Sequence, residues 1–222
     1  RNQNSGELFT MRIAILTSKN QWFEYYAKIL SESLGNAKIY NNYENFEGKH
    51  DIVFILSYHQ LVGKEFLSKN THNIVIHESL LPEGKGWSPL FWQVLDNKKK
   101  IPFTMFEASY GIDDGDIYLV DELELTGFEL NDELRKKQAE KIINMCINFV
   151  NNYDKSKSLN KQSGDETFYA KRGLSDSRLD VNKSIKEQFN LLRVVSNKKY
   201  PAFFEIDGHK FLLKIERFKD KS

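Results

Sequence analysis

Short apolar runs that alternate with helical patterns limit this chain's fold more than any other feature. Residues 13–16 are wholly apolar and of strand length, as a strand buried on both faces requires. Phe23, Ala27, Leu30 and Leu34 then recur at helical spacing across 21–34, and Gly35 ends that helix. Further strands are expected at 37–40, 51–57, 73–77, 102–107 and 117–120. A short helix is expected at 64–67, and a helix over 89–95 opens on Pro89 in its first turn. Strands alternating with helices build an open α/β sheet with mostly parallel strands. Such sheets take ligands at the carboxyl ends of their strands. The loops 17–22, 57–63, 77–88 and 108–116 are therefore where chemistry is expected.

Beyond the sheet, 132–150 read as a long helix with Leu134, Ile142, Met145, Cys146 and Phe149 on its apolar stripe. The polar stretch 151–166 reads as a linker. Residues 167–222 read as a small helix-plus-hairpin subdomain. Its helix spans 181–195 through Ile185, Phe189, Leu192 and Val195, and its hairpin turns at Asp207-Gly208. Phe203, Phe204 and Phe211 on that hairpin fit either a dimer surface or packing against the helix. Residues 1–10 are polar and patternless and read as a remnant ahead of a natural start at Met11, so the first unit is expected over 11–150.

Composition narrows the classes. A chain of 222 residues suits one domain with a small appendage, and 40% hydrophobic content supplies a core. No apolar run approaches the ~20 residues of a membrane helix, so a soluble cytoplasmic protein is expected. The single Cys146 excludes an internal disulfide. Net charge is +1, but 11–160 hold 17 basic and 21 acidic residues, whereas 161–222 hold 14 basic and 9 acidic. That local excess suits a small anion such as a diphosphate better than a long nucleic acid.

Two constellations carry the chemistry. His77 closes a predicted buried strand and opens a loop rich in Gly and Pro, and imidazole exchanges protons near neutral pH. Asp113-Asp114-Gly115-Asp116 lies in another loop of the same sheet. A carboxylate there can orient an imidazole and raise its pKa. The segment lacks the longer acidic frame of a calcium loop, so no metal is expected.

The stretch Val75-Ile-His77-Glu-Ser79-Leu-Leu-Pro82, then Gly86, then Asp113-Asp-Gly115-Asp-Ile117, resembles the formyltransferases that use N10-formyltetrahydrofolate. The likeness runs from Met11 to about Val150 and implies that 11–150 are a formyltransferase catalytic domain. It implies a Rossmann-like sheet of the formyltransferase type, with N10-formyltetrahydrofolate as donor. By the same resemblance His77 is the base and Asp113 its orienting and proton-relaying partner. Tyr58, Gln60, Leu61 and Val62, with Leu81, Pro82 and Asp113, would hold the folate; His59 reads as a surface residue. One position departs: the family carries Asn two residues before the His, and here it is Val75. Asn73 is the nearest side-chain substitute for oxyanion support, with a backbone N–H or a water as alternatives.

The segments Gly84-Lys-Gly-Trp-Ser-Pro89, Glu166-Thr-Phe-Tyr-Ala-Lys-Arg172 and Lys199-Tyr-Pro-Ala-Phe-Phe204 look like the small sugar N-formyltransferases. Among these, the branch acting on UDP-4-amino-4,6-dideoxy-N-acetyl-β-L-altrosamine in pseudaminic-acid biosynthesis is the most similar. A nucleotide-linked amino sugar is the implied partner, with Lys85, Trp87, Lys171, Arg172, Arg193, Lys199 and Tyr200 as candidates to bind it. No nucleic acid or membrane partner is expected, and a homodimer is compatible with the sequence. The alternatives are a methionyl-tRNA formyltransferase-like enzyme, a formyltetrahydrofolate hydrolase, and an inactive nucleotide-sugar-binding member.

Overall fold

The computed structural model describes residues 11–218; the leading ten residues, read above as a remnant, lie outside them. In chain order the elements are β1 (Ile13–Leu16), α1 (Glu24–Ser33), β2 (Lys38–Tyr40), β3 (Ile52–Ile55), α2 (Lys64–Lys69), β4 (His72–His77), β5 (Lys85–Gly86) and α3 (Pro89–Leu95). There follow β6 (Lys100–Glu107), β7 (Ile117–Glu124), α4 (Asn131–Asn151), α5 (Tyr153–Ser156), β8 (Phe168–Tyr169), α6 (Phe189–Val194), β9 (Ala202–Ile206) and β10 (His209–Leu213).

Six strands form one open sheet in the order β2-β1-β3-β4-β6-β7. The first four are parallel; β6 and β7 are added antiparallel. Successive side chains on a strand point to opposite faces, and the core divides accordingly. Ile15, Ile52, Phe54, Ile74 and Ile76 pack with α1 and with Ile142, Met145, Cys146 and Phe149 of α4. Ala14, Leu16, Val53, Ile55 and Val75 pack on the other side with Phe66 and Leu67 of α2. By the same alternation His77 shares the face of Val75, and the sheet delivers it to its carboxyl edge. Among the described residues no helix is long and apolar enough to cross a membrane.

Three stretches differ from expectation. The predicted helix 181–195 is reduced to α6, and Val181 and Ile185 are exposed. Side chains explain the loss: Asp180 Oδ1 accepts the Asn182 amide, and Glu187 Oε2 accepts the Ser184 amide. Such local bonds offer the backbone a turn in place of a helix. The stretch 151–166 contains the end of α4, then α5, and Asn160 exchanges two backbone hydrogen bonds with Ile117 at 2.7 and 2.9 Å. Finally, β5 and β8 pair in parallel across more than 80 residues of sequence.

The hairpin forms as read, with Asp207 at φ 49° and Gly208 at φ 80°, the left-handed pair that a tight hairpin turn needs. Ala202, Phe204 and Leu213 pack on Leu192 and Val195, so the hairpin rests on α6, and Phe211 stacks on Phe204. This C-terminal unit is held to the sheet unit by a buried ion pair. Arg193 donates to Glu129 O at 3.0 Å and to Glu129 Oε2 at 3.3 Å, and Lys137 adds a contact to Glu129 Oε1 at 2.9 Å.

Burial alone would raise the Glu129 pKa, but the Thr126 amide and the Lys137 ammonium outweigh it and hold the carboxyl at about 2. Its folded pKa lies below the unfolded value of ~4.3, so its stabilisation is present above that value and is lost as pH falls toward about 2. Urea titrations are expected to show a midpoint that drops across this acid range, with the drop reduced in Glu129→Gln. Arg193→Ala, which leaves Glu129 buried without its guanidinium, is expected to cost about 3–5 kcal/mol in the same measurement.

Candidate active site

His77 ends β4 and is 6% exposed. Its Nε2 lies 2.8 Å from Gly84 O. A carbonyl oxygen can only accept, so Nε2 carries the hydrogen and the lone pair of the neutral ring sits on Nδ1. That nitrogen faces Asp113 Oδ2 at 3.6 Å. The gap is too long for a direct hydrogen bond. Asp113 Oδ2 in turn accepts the Gly86 amide at 2.8 Å. One loop therefore fixes both groups: Gly84 sets the tautomer, and Gly86 holds the carboxylate.

Close backbone approaches build this arrangement. A Cβ on Gly115 would stand 1.5 Å from Glu107 O, so only glycine lets the loop 108–116 fold back onto β6. Gly86 has φ +98°, and a Cβ there would stand 2.6 Å from Tyr169 O; β5 and β8 pair because it has none. The segment after α5 then straps the loop down. Gln162 Nε2 donates to Asp113 O at 2.9 Å and to Gly115 O at 2.8 Å. Thr167 Oγ1 accepts the Gly84 amide at 2.8 Å.

Trp87, the residue after Gly86, gathers a wall of rings and cations. Trp87 stacks on His59 with centroids 5.8 Å apart, and Lys171 Nζ sits 4.7 Å over the Trp87 ring. Partial burial, with Lys171, Arg135 and Lys199 nearby, lowers the His59 pKa. Arg172, Lys199 and Tyr200 line a cleft of about 430 Å³ at the boundary with the C-terminal unit. The folate candidates follow β3 and β4. The Tyr58 hydroxyl donates to Gln60 Oε1 at 3.2 Å, Val62 packs on the core, Leu61 is exposed, and Leu81 and Pro82 are buried.

Three candidates are placed elsewhere or otherwise occupied. Asn73 stands four residues before His77, ~13 Å back along the strand. Its amide donates to Leu67 O at 2.9 Å, which turns it away from any oxyanion. Arg193 is 1% exposed and is spent on Glu129. Lys85 is 2% exposed and bonded to Glu166 at 2.6 Å, with Asp114 at 3.5 Å. Burial opposes its charge, but these two carboxylates more than offset it and raise its pKa. Lys85 is a strut between the strap and loop 108–116, not a free cation for a ligand. Sequence reasoning missed Gln162, Glu166, Arg135 and the stacking role of His59, because each acts through a partner distant in sequence.

The formyl transferase family model matches residues 11–150, most of the chain. The chain belongs to the formyl transferase family. Among curated proteins it is 30% identical over 149 residues to the methionyl-tRNA formyltransferase of Clostridium beijerinckii, covering 66% of this chain and 48% of that one. The chain thus spans about half the length of that relative. Solved structures share the fold across nearly the whole chain. A candidate sugar N-formyltransferase from Mycobacterium tuberculosis superposes with a TM-score of 0.73 at 17% identity, covering 96% of this chain and 100% of that one. HypX from Aquifex aeolicus, solved with tetrahydrofolic acid, gives 0.75 at 16% identity over 93% of this chain and 38% of that one. The family match spans β1 through α4 and so includes His77, Asp113 and Gly115.

Gly115→Ala should push the loop, and Asp113 with it, off the His77 ring. Turnover in a formyl-transfer assay is expected to fall about 100-fold, while circular dichroism shows the sheet intact.

Proposed function

We propose that this chain transfers the formyl group of N10-formyltetrahydrofolate to the amino group of a nucleotide-linked amino sugar. The observation that carries the reading is the His77–Asp113 pair, with its Nδ1 lone pair turned to the carboxylate beside the Trp87–His59–Lys171 wall. An ammonium is no nucleophile, so the acceptor amine has to lose a proton. His77 Nδ1 is the base available, and Asp113 stabilises the imidazolium that results. A C–N bond forms to the formyl carbon, and the bond from that carbon to N10 breaks. The proton returns through His77 or Asp113 to the departing nitrogen. Positive charge on His77 also faces the developing oxyanion. Asn73 has no part in this step, and Val75 contributes packing with Val53, Ile55 and Phe66.

One feature supports a sugar acceptor, the aromatic and basic wall; structural similarity over nearly the whole length extends to a candidate sugar N-formyltransferase and to a methionyl-tRNA formyltransferase alike. Within that class, the sequence likeness favours UDP-4-amino-4,6-dideoxy-N-acetyl-β-L-altrosamine, handled in the cytoplasm. The identity to a methionyl-tRNA formyltransferase favours a second reading, formylation of an aminoacyl-tRNA.

Mass spectrometry separates the two. The protein is incubated with N10-formyltetrahydrofolate, a panel of UDP- and dTDP-linked amino sugars, and methionyl-tRNA. A formyl mass gain on a UDP-linked amino sugar is the expected result; gain on methionyl-tRNA alone would replace it with the second reading. Loss of formyl with no formylated product would point to hydrolysis. In the same assay Val75→Asn is expected to fold and to leave turnover within about threefold of wild type, a change of less than ~1 kcal/mol.

A further inference from the structure

Loop 108–116 carries Asp113, and both of its ends meet at Glu107. The Glu107 amide donates to Asp116 O at 2.9 Å, and Gly115 lies against the Glu107 carbonyl. The next amide, that of Ala108, donates to Asn73 O at 2.7 Å. The Glu107 side chain turns back onto β4: Oε1 accepts the Asn73 amide at 2.7 Å, and Oε2 accepts the Tyr118 hydroxyl. The loop is thus fastened to the start of β4, while the carboxylate it carries faces His77 at the end of that strand.

Tyr118 reaches Glu107 by way of a bulge. The β6–β7 register passes from Met105–Leu119 to Phe106–Ile117 and leaves Tyr118 without a partner in the ladder. A bulge of this kind re-aims a side chain, and here the hydroxyl meets both Glu107 and His72. The Tyr118 hydrogen is committed to Glu107. His72 Nδ1 therefore donates to the Tyr118 oxygen at 2.8 Å, and its Nε2 accepts the Tyr153 hydroxyl at 2.7 Å. Burial and the adjacent carboxylate raise the Tyr118 pKa, so the hydroxyl keeps its hydrogen. Tyr153 opens α5, from which the strap leaves. Further along, Asn160 pairs with Ile117, and Gln162 donates to Asp113 O and Gly115 O. The network grips the loop at its root and, through Tyr153, the strap at its origin.

We propose that Glu107 is a positioning residue for the transfer read above, on which its effect on turnover rests. Its carboxylate, held by Tyr118 and the Asn73 amide, sets where Asp113 stands relative to His77. Glu107 pairs with Ile74, three residues and ~10 Å before His77 along β4, so it acts through the loop and not on the reactants. Glu107→Ala leaves the Tyr118 hydroxyl and the Asn73 amide without their acceptor and frees the root of the loop. Glu107→Gln keeps every partner by reversing the chain. Its Oε1 still accepts the Asn73 amide, and its Nε2 donates to the Tyr118 oxygen. Tyr118 then turns its hydrogen to His72 Nδ1, and His72 Nε2 donates to the Tyr153 oxygen. A buried network that stays fully satisfied keeps its geometry.

A double-mutant cycle with Asp113→Asn separates positioning from stability. With N10-formyltetrahydrofolate and a UDP-linked amino sugar, Glu107→Ala is expected to lower the single-turnover rate by about 10-fold or more in the wild-type background. In the Asp113→Asn background the same change is expected to cost less than about twofold. Glu107→Gln is expected to restore most of the wild-type rate. Hydrogen exchange at the Gly86 amide, which donates to Asp113 Oδ2, reads the displacement without turnover. Glu107→Ala is expected to speed that exchange by about 10-fold, and Glu107→Gln to leave it protected. Tyr118→Phe removes a single hydroxyl and is expected to move both readouts the same way by less, which keeps the test open if Glu107→Ala fails to fold. Equal rate losses in the two backgrounds, or Gly86 exchange unchanged in the folded Glu107→Ala and Tyr118→Phe variants, would overturn the assignment. Gly86 exchange that follows these variants in a chain that formylates no amino sugar would leave Glu107 assigned to the loop and remove the transfer reading alone.

Discussion

The contact between Gly115 and Glu107 O is the constraint on which the rest of the site depends. Loop 108–116 leaves β6 at the amino side of the parallel strands, opposite Ile74 rather than His77. To act on His77, Asp113 has to be carried back along the strand. Only a residue without a Cβ allows the loop to lie that close to β6. Once it does, Gly86, Gln162 and the Asp114–Lys85–Glu166 ion pairs hold it from three sides. Geometry fixed in this way leaves the His77–Asp113 pair little to rearrange, as the transfer proposed above requires.

The two ends of β4 show how the same residue type is put to different uses. His72, at the start of the strand, has both ring nitrogens committed, to the Tyr118 hydroxyl at 2.8 Å and the Tyr153 hydroxyl at 2.7 Å. Glu107 closes that network through Tyr118 and the Asn73 amide. Every polar group there has a neighbour, as a buried network needs for stability. His77, at the far end, has one nitrogen committed and one facing a carboxylate across an open gap. The first arrangement fixes structure; the second leaves a proton site free to work.

Much of this was legible in the sequence, for physical reasons. Apolar runs such as Ile13–Leu16 suit buried strands, and a histidine ending such a strand sits at the sheet's carboxyl edge. Gly115 and Gly86 were visible as residues, and their necessity became clear only from what their missing Cβ atoms would strike. The helix expected over 181–195 failed because periodicity counts apolar positions and ignores the Asp180, Ser184 and Glu187 side chains that compete for backbone bonds. Lys85 and Arg193 were misplaced for a related reason. Charge in a sequence shows no partner, and Glu166 and Glu129 lie 81 and 64 residues away. Arg135 gave no signal, being one charge on a long amphipathic helix.

In the transfer proposed above, His77, held between Gly84 and Asp113, moves the proton that formyl transfer requires. The most direct test is a single-turnover measurement with N10-formyltetrahydrofolate and a UDP-linked amino sugar, comparing wild type with His77→Ala at matched thermal stability. A rate lower by a factor of ~100 or more is expected in the variant. Equal rates in two equally folded proteins would contradict it.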